Sequence, residues 1–191
     1  MNWISFEKEY AGDLLNRNPW NERIEKMAGL LGDISSVADM GAGEGCLKCY
    51  LNKNIEYYPI DYCKRNDETI ICDFNKGQFP DIRVDAYFIS GCMEYITDWK
   101  WFVLKLCEKH PKQIVLSYAA VQEEYKGEQR GWYYNDVKCD FENSITETEI
   151  IREFEKNRYT VRKRDFDIQT GQPLFLFESG AVNERDALQT I

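Results

Sequence analysis

The sequence predicts an α/β protein: a doubly wound, seven-stranded, mostly parallel sheet with an antiparallel last strand, in a three-layer α/β/α arrangement. Three observations predict it. Strand and helix signals alternate along the chain. The buried-strand run of Val37, Ala38 and Met40 breaks straight into Gly41, Gly43 and Gly45, and the chain ends in two strand signals joined by a Thr170-Gly171 turn. No internal repeat or low-complexity segment competes with this reading.

The elements follow in order. A stretch from Phe6 to Leu15 and a helix from about Trp20 to Leu31, with Ile24, Met27, Leu30 and Leu31 at helical spacing, precede the first strand as a cap on the sheet. The glycine turn opens a helix to about Leu51 whose positive end faces the turn. Tyr57 to Ile60 form strand two and end in Asp61; Thr69 to Cys72 form strand three and end in Asp73. Val84 to Ile89 end in Ser90, and Gln113 to Leu116 end in Ser117, as strands four and five. Only about seven residues lie between Asp61 and Thr69, whereas parallel neighbours usually need a crossover of a dozen or more. Either a bare loop makes that crossing or strand three is shorter than drawn. The stripe Trp99, Phe102, Val103 and Leu106 is the crossover helix before strand five. Ala119 to Asp140 is irregular and rich in tyrosine and glycine, and Thr146 to Glu149 is a capping box that opens a helix to about Glu155. Tyr159 to Phe166 and Pro173 to Phe177 are the closing strands.

Composition narrows the function classes. Hydrophobic residues make up 43% of the 191, and no apolar run approaches the length of a membrane span. MNWISFEKEY has no basic start or apolar stretch, so a cytoplasmic home without a membrane partner is expected. Seven cysteines without regular spacing do not form a disulfide framework, and Cys46-x-x-Cys49 has no second pair to complete a metal site. No metal is expected, and core packing is the role assigned to the cysteines. A net charge of −9 argues against a nucleic-acid partner. The basic run Arg152, Lys156, Arg158, Arg162, Lys163 and Arg164 is interleaved with Glu153, Glu155, Asp165 and Asp167, which reads as a solvated face.

The spacing of the glycines selects the ligand. A dinucleotide fingerprint, G-x-G-x-x-G, would need a third glycine where Cys46 stands. What is present, Asp39-x-Gly41-x-Gly43-x-Gly45, resembles the first motif of the class I S-adenosylmethionine-dependent methyltransferases. In open α/β sheets ligands lie beyond the carboxyl ends of the strands, and the resemblance, which covers roughly Val37 to Tyr118, assigns those ends. It implies S-adenosyl-L-methionine as cofactor, with Asp61 as ribose anchor and Tyr62 flanking the adenine. It makes Asp73 and Phe74 the adenine contacts and runs Ser90 and Gly91 beside the methionine portion. The segment Ile89-Ser-Gly-Cys-Met-Glu-Tyr-Ile96 looks like that of small-molecule methyltransferases; the N-P-P-Y type of motif is lacking, since Asn18-Pro19-Trp20 is in the wrong place. The implied layout is one domain over residues 1–191, with an N-terminal helical cap (1–34), a cofactor-binding core (35–118) and an acceptor side ending in the hairpin (119–180).

The methyl group of such a cofactor sits on a sulfonium and is already activated, so the protein must position and desolvate; orientation can supply on the order of 7 to 11 kcal/mol in favourable intramolecular cases. A neutral hydroxyl acceptor would also need a base. The only histidine, His110, precedes Pro111 on the approach to strand five, at the wrong end of the sheet. Two options stand: Glu94, Tyr95 or another carboxylate in the cleft takes the proton, or the acceptor arrives nucleophilic. Tyr10, Tyr118 and Trp132, with Tyr133 and Tyr134, are the aromatic candidates for contacting the acceptor. Tyr134 and Lys138 also spell Y-x-x-x-K, a match expected by chance among twelve tyrosines. The reading is methyl transfer to an oxygen or nitrogen of a small metabolite, a sugar or phosphorylated intermediate being one option. A non-catalytic cofactor-binding module and a nicotinamide-dependent oxidoreductase are the alternatives.

Overall fold

A computed structural model describes residues 19–122, 131–134 and 137–180. Its elements are α1 (Pro19–Ala28), β1 (Ser36–Met40), β2 (Glu56–Asp61), β3 (Ile70–Ile71), β4 (Ala86–Ser90), α2 (Trp99–Glu108) and β5 (Gln113–Ser117), then β6 (Gly131–Tyr134), β7 (Val137–Asp140), α3 (Glu147–Lys156), β8 (Tyr159–Asp167) and β9 (Gln172–Ser179). Seven strands form one sheet in the order β3-β2-β1-β4-β5-β9-β8, and β6 pairs with β7 alone. β1, β2, β3, β4 and β5 pair in parallel. β9 runs antiparallel to both β5 and β8, so the last strand alone is reversed. The order turns back between β1 and β4, which opens a switch point at their carboxyl ends.

Both faces of the sheet are covered because each central strand sends alternate side chains to opposite sides. Val37, Ala86, Phe88, Val115, Leu174 and Leu176 face one layer, where Met27 of α1 and Leu47 pack. Ala38, Tyr87, Ile89, Ile114, Leu116, Phe175 and Phe177 face the other, under Phe102, Val103 and Leu106 of α2 and Ile150 and Phe154 of α3. The capping box is formed as expected: the Thr146 hydroxyl accepts the Glu149 N–H at 3.2 Å, and the Glu149 carboxylate accepts the Thr146 N–H at 3.1 Å. Among the described residues no helix is long and apolar enough to cross a membrane.

Two elements depart from the sequence reading. The helix expected after the glycine turn is a short 3₁₀ segment, Cys46–Tyr50, that ends in extended Leu51. Gly45 enters it in the left-handed region with no side chain capping the first turn, and Cys46, Cys49 and Tyr50 are weak helix formers. The crossing from β2 to β3 is a bare loop, and β3 keeps only two residues. Both alternatives for that crossing therefore hold. Cysteine burial is also uneven: Cys72 and Cys107 are buried, Cys46, Cys63 and Cys92 half-buried, and Cys49 exposed, against the core role expected of it.

Candidate functional site

The chain leaves β1 through Asp39 and Met40 and turns sharply, the Gly41 and Ala42 N–H groups both donating to the Ile60 carbonyl at 2.8 and 2.9 Å. The two leading glycines are required for different reasons. At Gly41 (φ +79°) a Cβ would stand 2.6 Å from the Cys92 Sγ, so the turn can pass the β4 loop only without a side chain. At Gly43 (φ +51°) a Cβ would meet nothing within 4 Å, so the backbone there borders open space. The Gly43 N–H points sideways to the Asp61 Oδ2 at 3.0 Å. Asp61, at the end of β2, is 3% exposed, and this bond turns it toward the glycine turn. Its Oδ1 accepts the Cys63 N–H at 3.2 Å and lies 3.4 Å from the Arg65 Nε. Burial raises the Asp61 pKa, opposed by the hydrogen bonds from Cys63 and Gly43. Tyr62 is half-exposed, with the Arg65 guanidinium over its ring at 5.6 Å.

Asp39 takes a different position from its neighbours in the motif. It is buried, and its Oδ2 accepts the Tyr57 hydroxyl at 2.8 Å; burial pushes its pKa up to about 7, the Tyr57 hydrogen bond opposing and the Asp61 charge adding to the rise. Asp73 accepts the Asn75 N–H at 3.1 Å and pairs with Lys76 at 2.7 Å, so its carboxylate caps the turn after β3. Phe74 is packed inward against Phe102, ring centroids 4.9 Å apart. Without a long helix after the glycines, the turn lacks a helix dipole, and the N–H groups of Gly41, Ala42, Gly43 and Gly45 are bonded within the protein.

Across the switch point, Ser90 and Gly91 end β4. The Gly91 N–H donates to the Ser117 Oγ at 3.0 Å. The Ser90 Oγ accepts the Arg23 Nε at 3.2 Å, and Arg23 Nη1 donates to the Gln172 Oε1 at 2.9 Å. Glu94 is 1% exposed; its Oε1 accepts the Ala119 N–H at 2.9 Å and faces the Gln172 Nε2 at 3.5 Å. It thus braces the loop after β4 against the loop after β5. Tyr95 packs edge-on against Phe141, and its carbonyl accepts the Asn75 side-chain amide at 2.8 Å. Tyr118 is not brought to the cleft: it is fully buried and its hydroxyl bonds Asn143 and the Ile145 N–H. Tyr10 and the side chain of Trp132 lie outside the described residues. Tyr134 and Lys138 stand on opposite strands of the β6–β7 hairpin, where Lys138 pairs with Tyr133, unlike two successive turns of one helix. His110 follows α2 with φ +55° before β5, at the amino end of the sheet.

Arg23, Gln172 and Tyr57 were not among the sequence candidates. Arg23 did leave a signal: it stands four residues before Met27 and seven before Leu30, on the apolar stripe where a cation is out of place. Gln172 and Tyr57 had none, because nothing local marks a strand residue whose partner is on another element.

Glycine turn, Asp61 and switch point share one end of a β3-β2-β1-β4-β5-β9-β8 sheet, and the fold of the chain is similar to that of solved structures. The 1,6-didemethyltoxoflavin-N1-methyltransferase of Burkholderia thailandensis, with its substrate and S-adenosylhomocysteine bound, superposes with a TM-score of 0.65 at 13% identity, over 93% of this chain and 85% of that one. DesVI of Streptomyces venezuelae gives a TM-score of 0.67 at 12% identity, over 90% and 97% of the two chains. The magnesium protoporphyrin IX methyltransferase of Synechocystis, with S-adenosylhomocysteine bound, gives 0.63 at 11%, over 94% and 89%. This is the class I methyltransferase fold. No protein-family model matches the sequence, and no curated protein matches it either. In the methyltransferase fold the carboxyl ends of β1, β2 and β4 form one rim, and here they carry the glycine turn, Asp61 and the Ser90–Gly91 pair.

Proposed function

We propose that the protein is an S-adenosylmethionine-dependent methyltransferase acting on an oxygen or nitrogen of a small metabolite, with a sugar or phosphorylated intermediate as the acceptor class to test first. One observation carries the reading: the Asp61 carboxylate is aimed at the Gly43 N–H across a turn whose outer side is open. A carboxylate can accept at about four lone-pair positions; the Asp61 Oδ2 uses one for Gly43, and Oδ1 receives the Cys63 N–H and thiol beside Arg65. The position left on Oδ2 suits a ribose hydroxyl. Tyr62 offers a half-exposed ring beside it for the adenine, Asp73 and the Phe74 backbone border the base, and Ser90 and Gly91 lie toward the methionine portion.

The bound cofactor would supply a methyl group on a positively charged sulfur, which needs an in-line nucleophile rather than activation. This chain's contribution is then to hold and orient. Glu94, a catalytic candidate from sequence, spends Oε1 on the Ala119 N–H, which favours a bracing role and an acceptor that is nucleophilic on arrival. The likeness to a 1,6-didemethyltoxoflavin-N1-methyltransferase and a magnesium protoporphyrin IX methyltransferase supports a small-molecule acceptor. Calorimetry with S-adenosylhomocysteine, with NADH as control, tests the cofactor. Stoichiometric binding of the first alone is expected, with a loss of about ten- to hundredfold in Asp61→Ala, the size of one charge-assisted hydrogen-bond pair. Binding of NADH instead would sink the reading.

A further inference from the structure

We propose that Cys46 and Cys49 form a reversible dithiol–disulfide couple whose oxidant is a low-molecular-weight disulfide, and that closing the bridge loosens the glycine turn's hold on the cofactor. The change in affinity rests on reading that turn as part of a site for S-adenosylmethionine; the bridge itself does not.

The two thiols are brought together by the segment that departs from the expected helix. Cys46–Tyr50 is a 3₁₀ turn, and with three residues per turn the side chains at i and i+3 lie one above the other. Cys46 and Cys49 therefore stand on one side of it. One such turn advances about 6 Å, inside the range of roughly 4.4 to 6.8 Å found between the Cα atoms of bridged cysteines. The residues between them are fixed. Leu47 is buried in the layer with Met27 and Val37, while the Lys48 ammonium lies over the Tyr57 ring at 6.0 Å and pairs with Glu68. Burial pushes the Cys46 thiol up, and the nearby Cys49, Asp39 and Glu44 act in the same direction. Cys49 is exposed and Cys46 half-buried, so one thiol meets a reagent and the other is shielded beside it.

Cys49, as its thiolate, attacks one sulfur of the small disulfide; that S–S bond breaks, a first small thiol leaves, and Cys49 is held as a mixed disulfide. Cys46 then gives up its proton and attacks the Cys49 sulfur, which expels the second small thiol. The two cysteines lose two electrons and two protons, and the small disulfide gains both. A disulfide holds its Cβ atoms about 4 Å apart, closer than one 3₁₀ turn leaves them, so closure draws the ends of the turn together. Leu47 is buried, whereas Gly45 enters the turn in the left-handed region (φ +74°) and bonds the Ala42 carbonyl through its N–H. The displacement is taken up at Gly45 and passes into the turn that runs back to Gly41. A bridge that is exposed and pulls on its own backbone is easily reduced, which makes the couple reversible.

The test titrates the native protein with glutathione disulfide, blocks the remaining thiols and locates the bridge by peptide mass. Loss of two hydrogens confined to the peptides holding Cys46 and Cys49 is expected. S-adenosylhomocysteine should then bind about three- to tenfold more weakly, and dithiothreitol should reverse both changes. Cys49→Ser should bind S-adenosylhomocysteine as the reduced native protein does and gain no bridge, whereas Cys107→Ala should respond like the native protein. No reaction, a mixed disulfide that never closes, or a bridge to another cysteine overturns the couple. A Cys46–Cys49 bridge that leaves the affinity unchanged overturns its effect on the glycine turn. Failure of the reduced native protein to bind S-adenosylhomocysteine refutes the cofactor reading, and the mass measurement still decides the couple.

Discussion

A single carboxylate shows how burial turns a motif position into a titrating group. Asp39 is buried, with the Tyr57 hydroxyl as its one side-chain partner among the described residues, and its pKa rises to about 7. An unfolded aspartate releases its proton near pH 4. Between those values the folded protein holds a proton that the unfolded chain has lost, so stability falls as pH rises from about 4 to 7 and levels off above. One pK unit is worth about 1.4 kcal/mol, which puts the whole window on the order of 4 kcal/mol. Asp39→Asn should remove that slope and melt higher than the native protein at pH 8, with the two converging near pH 4; parallel melting curves over pH 4–8 would refute the assignment. The residue scale also marks where sequence reading succeeds. Asp61 was legible because the strand signal and the residue that ends it are adjacent in the chain. Arg23 acts 67 residues away from its Ser90 partner and 149 from Gln172, and no local pattern records that.

Elements were legible to the extent that their causes are local. α3 begins at Thr146 as its capping box requires, and the hydroxyl and carboxylate make both reciprocal bonds. Thr146→Ala should cost about 1 kcal/mol in urea unfolding, with the slope of the transition unchanged; a cost below a few tenths would mean that packing of Ile150 and Phe154 alone sets the start of the helix. The segment after the glycines went the other way. Its sequence begins like a helix, yet Gly45 enters in the left-handed region and the chain leaves at Leu51 to reach β2, leaving a short 3₁₀ turn. β3 is short as well: only Ile60 and Asp61 of β2 pair with it, against five residues of β2 paired with β1. After the glycines, where the chain must go next overrode local propensity.

At the scale of the molecule, the closing hairpin completes the sheet and one layer of the core together. β9 inserts between β5 and β8, and its Phe177 stacks on Phe154 of α3 with ring centroids 4.0 Å apart. Phe177→Ala should therefore cost about 3–5 kcal/mol and lower the melting temperature by roughly 10 °C. Phe166→Ala, on the exposed side of the same hairpin, should change it little. A small effect at Phe177 would mean that the hairpin is not part of the cooperative core. The sequence by itself determined the alternation of strands and helices, the glycine turn and the acid that ends β2, because hydrophobic periodicity and backbone freedom are written in neighbouring residues. Only the tertiary structure decided that Glu94 braces a loop, that Tyr118 is buried and that Arg23 reaches the end of β4. Those roles depend on which elements meet in space, and burial and hydrogen-bond partners exist only once the sheet has brought distant segments together.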